Sequence, residues 1–251
     1  MGKTLVFANQ KGGVGKTTTA VNLGAFIAEE GKKVLLVDFD PQGNLSSSVG
    51  IKKNVEGVYE VLTGKASLKD VIRKTPVENL SIVASGINLT GASVELVGKG
   101  DKYFYLKKAL VPVKNVYDYI FIDCPPSLGI LTVNGLAAAD SVIIPLQCEY
   151  FALEGLSMLL DTIKRMQAKI NPHLEICGIL CTMYDSRTRL ANDVVQEVVR
   201  HFGKKVFKTI IPRNVRLSEA PSHGLPIGRY DAESMGAKSY KLLAGEVISR
   251  G

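Results

Sequence analysis

The sequence predicts a doubly wound α/β domain, a mostly parallel sheet with helices on both faces. Two observations carry this reading. Short apolar runs alternate along the chain with longer amphipathic stretches, the order of repeated strand–helix units. Several runs are continuous Val/Ile/Leu segments, such as Val34–Asp38 and Tyr119–Asp123, without in–out alternation. That is the pattern of strands covered on both faces. The chain has 251 residues, 46% hydrophobic and 22% charged. This composition excludes a disordered chain, a collagen-like rod and a small disulfide scaffold. The length fits one domain over 1–251, large enough to bury a core without staples. No internal repeat, low-complexity segment or dividing linker breaks it.

The first strand is expected at Thr4–Asn9, followed by a glycine-rich loop and a helix over Lys16–Glu29. Val34–Asp38 is the second strand. Helices are expected over Val58–Thr63 and Ser67–Lys74, then a strand at Leu80–Ala84. The glycine-containing stretch Ser85–Lys102 reads as the longest loop. Helix Tyr103–Lys114 leads to strand Tyr119–Asp123, which Pro125-Pro126 stops because proline fixes φ and lacks the N–H a strand needs. Helix Gly129–Ala138, strand Ser141–Pro145, helix Leu153–Ile170 and strand Ile176–Met183 continue the alternation. Helix Leu190–Phe202, strand Val206–Ile210 and a last helix from about Ser234 to Ile248 complete it.

No apolar run approaches the ~20 residues that span a bilayer, and no small-residue cleavage site follows the short apolar run Leu5 to Ala8. The four cysteines, Cys124, Cys148, Cys177 and Cys181, form no Cys-x-x-Cys pair. Cys177 and Cys181, four apart, are a weak metal hint; small core residues in a reducing cytoplasm is the simpler reading. Charge is unevenly spread. Residues 181–251 carry 12 basic and 7 acidic side chains, most of the chain's net +7. A basic C-terminal third points to a polyanion partner, or to a plain soluble surface.

The strand Thr4–Asn9 runs into Gln10-Lys11-Gly12-Gly13-Val14-Gly15-Lys16-Thr17-Thr18, and a helix follows. Strand, glycine loop, Lys-Thr and helix is the context of a phosphate-binding P-loop. Glycines let backbone N–H groups turn inward around phosphate oxygens. The helix N-terminus adds its positive dipole end. Lys16 is placed to reach the β- and γ-phosphates and the Thr17 hydroxyl to bind Mg²⁺. Asp38 and Asp40 end the second strand at the edge where open α/β sheets bind ligands. One serves the metal shell, the other the attacking water. Asp123 ends a four-residue apolar run, the place of a Mg²⁺-holding carboxylate. Ser127 and Gly129 lie in the following loop, within reach of a γ-phosphate.

The first position of the common P-loop pattern holds Gln10, and Lys11 is an additional lysine. Lys-Gly-Gly-Val-Gly-Lys-Thr-Thr resembles the deviant Walker A motif of the ParA/MinD superfamily. The resemblance implies that Lys11 reaches across a dimer interface to the partner's nucleotide, and that Asp40 orients or activates the water. Two later segments, PLQCEYFALEGL (145–156) and IPRNVRLSEAPSHGLPI (211–227), closely resemble the chromosomal Soj/ParA partition ATPases. The similarity runs from the first strand to the last helix. It implies that Pro212, Arg213 and Asn214 pack on and hydrogen-bond adenine, completing a nucleotide site of Lys11, Gly12, Gly13, Val14, Gly15, Lys16, Thr17 and Thr18. It implies ATP/ADP and Mg²⁺ as cofactors and a homodimer with ATP sandwiched at its interface. It further implies a ParB/Spo0J-type centromere-binding partner that stimulates slow hydrolysis, and a cytoplasmic, nucleoid-associated protein.

The DNA reading rests on charge, since Lys and Arg neutralise phosphates without reading sequence. By resemblance Arg187 and Arg216 are the first candidates, with Lys204 and Lys205 next. No separate N-terminal DNA-binding domain is expected. The rival is a MinD-like membrane-associated ATPase, which ends in an additional basic amphipathic helix. Here Tyr240, Leu243, Val247 and Ile248 give the last helix an apolar stripe, read as core packing. An iron–sulfur reductase of the same superfamily needs cysteines at a bridging cluster. A non-catalytic nucleotide-binding scaffold differs by releasing no phosphate.

Overall fold

The computed structural model describes residues 2–52, 55–97 and 100–250. Its strands are β1 (Lys3–Phe7), β2 (Val34–Asp38), β3 (Ile72–Lys74), β4 (Leu80–Val83), β5 (Tyr119–Asp123), β6 (Ser141–Gln147) and β7 (Glu175–Thr182). They form one sheet in the order β3-β4-β2-β5-β1-β6-β7. Every neighbouring pair is parallel except β3 with β4. The helices are α1 (Lys16–Glu29), α2 (Asn44–Ser48), α3 (Val58–Leu62), α4 (Leu68–Val71), α5 (Leu89–Val97) and α6 (Tyr105–Leu110). Then come α7 (Ile130–Ala138), α8 (Ala152–Lys169), α9 (Arg189–Phe202), α10 (Val215–Glu219), α11 (Ile227–Tyr230) and α12 (Met235–Arg250).

The continuous apolar strands do what their composition requires. Along β1, β2 and β5 successive residues point to opposite faces, and both faces are dry. Val6, Leu35, Val37, Ile120 and Ile122 enter one core with Leu136, Leu156 and Ile163 of α7 and α8. Leu5, Phe7, Leu36 and Phe121 enter the other with Leu23 and Ile27 of α1 and Tyr240, Leu243 and Val247 of α12. The apolar stripe of the last helix is thus buried against α1, with Ile248 partly buried beside it. Thr19 Oγ1 and Tyr240 Oη, 3.1 Å apart, join α1 to α12 inside that core.

Three expected elements differ. Over Ser67–Lys74 only Leu68–Val71 is helical, with Asp70 accepting bonds from the Ser67 N–H (3.1 Å) and Oγ (2.6 Å). Ile72–Lys74 then pairs antiparallel with β4, a tertiary pairing that overrides local helix preference. The expected loop Ser85–Lys102 contains α5, whose Leu89, Ala92 and Leu96 are buried at helical spacing. Its glycines masked that short stripe. Val206–Ile210 is no strand. A single bridge joins Val206 to Ile179, whose carbonyl accepts Phe207 N at 2.9 Å, but the N–H groups of Lys208 and Thr209 donate to the Glu246 carboxylate of α12 at 2.9 and 3.1 Å. A side chain thus takes Thr209 N, which lies between the two donors, Phe207 N and Ile211 N, that still reach β7.

Candidate nucleotide site

Parallel strands deliver their carboxyl ends to one edge of the sheet, and the loop after β1 lies there. Asn9, buried, donates to Pro145 O at 2.7 Å and accepts from Lys11 N at 3.0 Å, fixing the loop's entrance. Gly13 and Gly15 have φ of +74° and +88°, left-handed values that cost a Cβ-bearing residue about 1–2 kcal/mol. Val14 is buried, and its carbonyl accepts the Thr182 hydroxyl at 2.9 Å, tying the loop to β7. Gly15 caps α1 without a side chain, and the first turn holds no acid. The helix's unpaired N–H groups and positive dipole end are therefore left for an anion. Lys16, largely buried, curls back so that Nζ donates to Lys11 O at 3.2 Å.

The β2–β5 register sets Asp38 directly beside Asp123, both buried. Asp123 Oδ2 accepts from Thr17 Oγ1 at 2.6 Å, while its Oδ1 is buried without a partner. Asp38 Oδ2 accepts from Ser46 N (2.8 Å) and Ser46 Oγ (2.6 Å), and its Oδ1 takes only Asp40 N at 3.3 Å. Burial lifts the Asp38 carboxyl to about 6 against the pull of Ser46. Burial and then the charge of Asp38 lift Asp123 to about 8. Burial likewise lowers the pKa of Lys16, opposed most by Asp123. Two adjacent buried carboxylates with an orphaned oxygen, beside a threonine hydroxyl, are a hard all-oxygen donor set of the kind Mg²⁺ prefers.

These shifts carry a sign. A raised carboxylate pKa stabilises the fold below the unfolded value and loses that contribution as pH rises through the folded one. Without metal or nucleotide, the protein is expected to lose stability from pH 4 upward, through about 6 for Asp38 and about 8 for Asp123. Mg²⁺ should restore part of it at pH 8. Thermal melts at pH 6 and 8, with and without Mg²⁺, check this. A metal-free protein whose melting rises between those pH values would contradict it.

Asp40 points elsewhere. It lines a cleft of about 430 Å³ with Gly12, Gly13, Lys16, Thr17 and Pro126, and its Oδ1 accepts from Gln42 N at 3.0 Å. A second cavity of about 260 Å³ continues it, sharing Gly15, Thr18, Met183 and Pro221. Pro212, Arg213, Asn214 and Leu217 line this second cavity. Pro212 bridges to Tyr184, and Arg213 N donates to Tyr184 O at 2.9 Å. Asn214 Oδ1 is buried without a partner, an acceptor suited to an exocyclic amine. Met183 has a φ of +51°; this strained turn, at the seam of the two cavities, was not legible in the sequence. Together the cavities run from the glycine loop and Lys16 to Pro212, Arg213 and Asn214.

The other candidates sit around this edge or away from it. Lys11 is half-exposed on the rim, its Nζ paired with Glu149 Oε2 at 2.8 Å, a contact sequence reasoning did not find. Arg187 lies beyond β7, 85% exposed, paired with Asp185 through Nε (2.9 Å) and Nη2 (2.7 Å). Arg216 pairs with Glu219 (2.9 Å) and Asp231 (3.3 Å). Lys204 and Lys205 are not with them. They lie at the opposite edge, beside Glu175 at the amino end of β7. The four residues therefore do not form one patch on one protomer. Cys124, Cys148 and Cys181 are buried. Ser127 O accepts the Thr132 hydroxyl, which ties its loop to α7.

A strand–glycine loop–helix unit facing paired carboxylates across a parallel sheet defines a P-loop NTPase. A family model described as an AAA domain matches residues 2–176. The chain is 63% identical over its whole length to the chromosome-partitioning ATPase Soj of Treponema pallidum, covering 98% of that protein. It is 57% identical to the sporulation initiation inhibitor protein Soj of Bacillus subtilis, with full coverage of both. Among solved structures, one titled cobyrinic acid a,c-diamide synthase from Mycobacterium smegmatis, with bound ATP analog and magnesium, superposes with a TM-score of 0.89. It is 39% identical, over 99% of this chain and 94% of that one. The chain belongs to the ParA/Soj-type chromosome-partitioning ATPases, enzymes whose cofactors are ATP/ADP and Mg²⁺.

Proposed function

We propose that this ATPase is a nucleotide-driven DNA-binding switch for chromosome or plasmid partition. The observation that carries the reading is the division of labour at one sheet edge. Lys16, Thr17, Asp38 and Asp123 converge in the buried cradle, whereas Lys11 stays on the exposed rim. A rim lysine is free to serve a second protomer's phosphates, so two copies would meet face to face across ATP. Each copy brings a modest basic surface, and pairing them makes DNA binding strong by avidity. Loss of the γ-phosphate separates the copies and releases DNA. A ParB-type centromere-binding protein fits as the partner that stimulates hydrolysis, in a cytoplasmic, nucleoid-associated protein. Among the described residues no helix is long and apolar enough to cross a membrane.

Within the site, the loop amides and Lys16 hold the β/γ-phosphates. Thr17, Asp38 and Asp123 would hold Mg²⁺, which supplies charge neutralisation between phosphate oxygens. Asp40 faces the cleft rather than the buried pair, the position for orienting a water. Asn214 accepts from the adenine amine. Lys11→Ala should keep nucleotide binding and lose ATP-dependent dimerisation. Its pairing with Glu149 is half-exposed and worth at most about 1 kcal/mol, so it yields readily to a triphosphate. Calorimetry and light scattering with ATP check the pair, and a variant that dimerises normally removes the cross-interface role.

Arg187→Ala and Arg216→Ala should weaken DNA binding while leaving ATP binding unchanged. Both arginines are exposed in their ion pairs, and surface pairs are worth little, so DNA phosphates can displace the carboxylates. Each arginine occurs twice in a symmetric dimer, so one substitution should reduce the log–log salt slope by up to about 2. An anisotropy series at several salt concentrations, with ATP, measures this. Wild-type affinity and slope in both variants would place the DNA surface elsewhere.

A further inference from the structure

We infer that Ser46 is a positioning residue for the metal shell: its hydroxyl decides which oxygen of Asp38 faces Mg²⁺. The inference rests on the reading of Asp38 as a metal-shell carboxylate. Asp38 lies at the end of β2, and α2 begins six residues later behind Gly43, whose N-cap position offers no side chain. Asp38 fills that role from outside the helix, accepting Ser46 N at 2.8 Å. The Ser46 hydroxyl donates to the same oxygen, Oδ2, at 2.6 Å.

The direction of that second bond is forced from across the sheet. β4 pairs with β2 as far as Val37 and Val83, which brings Ser85 beside Ser46. Ser85 N donates to Ser46 Oγ at 3.1 Å. A backbone N–H can only donate, so Ser46 Oγ accepts there and has its single proton left for Asp38. Asp38 Oδ2 is thereby saturated by two donors. Oδ1 holds one long contact, 3.3 Å to Asp40 N, and is the oxygen left for the metal shell. Ser46 and Ser85 are both buried, so water does not replace either bond. Outer partners of this kind change metal affinity by roughly 10–100-fold when lost. Asp123 has Thr17 on one oxygen and nothing on the other. Ser46 thus does for Asp38 what Thr17 does for Asp123.

The test titrates Mg²⁺ against the purified protein and ADP by calorimetry, so that neither hydrolysis nor ATP-driven association contributes. Ser46→Ala should raise the Mg²⁺ midpoint by about 10-fold, the lower end of that range, and leave ADP binding in EDTA unchanged. Ser46→Thr keeps the hydroxyl and should restore the wild-type midpoint. Ser46→Cys, a weak donor of similar size, should lie between, and it replaces Ser46→Ala if that variant does not fold. A lowered melting temperature with an unmoved Mg²⁺ midpoint would overturn the inference, because a purely structural serine gives that result. Asp38→Asn separates the two levels. If it moves the midpoint and Ser46→Ala does not, the inference fails alone. If Asp38→Asn leaves the midpoint unmoved, the metal-shell reading fails and the inference with it.

Discussion

Lys16→Ala abolishes nucleotide binding in the expected result, the largest loss of affinity for nucleotide among the substitutions considered. Lys16 is the cation of the cradle, 7% exposed and close enough to the loop for Nζ to reach Lys11 O at 3.2 Å. Burial lowers its pKa, opposed most by Asp123. Two carboxylates act on it, Asp123 first and Asp40 next. Without Lys16 a triphosphate would meet those carboxylates without the cation that the loop holds among them. Hydrogen bonds to charged groups are worth about 1.5–3 kcal/mol each, and the proposed role gives Lys16 two phosphates to hold. The expected deficit is roughly 10²–10⁴-fold in affinity. Calorimetry with ATP and Mg²⁺ reads it directly; an affinity within tenfold of wild type would contradict the role.

Asp40→Ala should bind ATP and Mg²⁺ yet hydrolyse ~10²–10⁴-fold more slowly, the usual effect of losing a positioned base. Strand alternation alone would put neighbours two apart on one face, but β2 ends at Asp38 and the turn that follows carries Asp40 away. Asp38 turns into the sheet toward Asp123 and Ser46. Asp40 lies past the strand's end, half-buried, lining the cleft beside the glycine loop, with its carboxylate accepting from Gln42 N. It is the carboxylate with access to water. The variant should accumulate as an ATP-bound dimer in light scattering, with phosphate release nearly absent. Unchanged steady-state release would remove Asp40 from the reaction.

The parts of this architecture that were legible share a physical feature: their local signal is not contested by distant partners. β2, β5 and α1 fall at their expected bounds because each is a long apolar or alanine-rich run closed by Gly, Pro or Asp. The P-loop was legible because its glycines are demanded by backbone angles, at Gly13 and Gly15 above all. Contested segments were not legible. The run Val206–Ile210 reads as a strand until Glu246, 38 residues from Lys208, takes two of its donors. Ser67–Lys74 splits because β4 offers a better partner to its last three residues. Lys204 and Lys205 belong to the basic third in sequence but to the other sheet edge in space. Ser46 and Glu149 carried no signal of their own, since their roles arise from contacts with Asp38, Ser85 and Lys11 that only the fold creates.

The central claim is that nucleotide state sets DNA affinity, and it is tested most directly by one comparison. Fluorescence anisotropy of a labelled duplex is measured with ATP, with ADP and with no nucleotide, all with Mg²⁺ at one salt concentration. The account predicts tight, sequence-indifferent binding with ATP and weak binding in the other two conditions, because only ATP joins two basic surfaces. Equal binding in all three conditions would contradict the switch. No DNA binding with ATP, together with binding to anionic liposomes, would contradict the partition reading in favour of a membrane-associated ATPase.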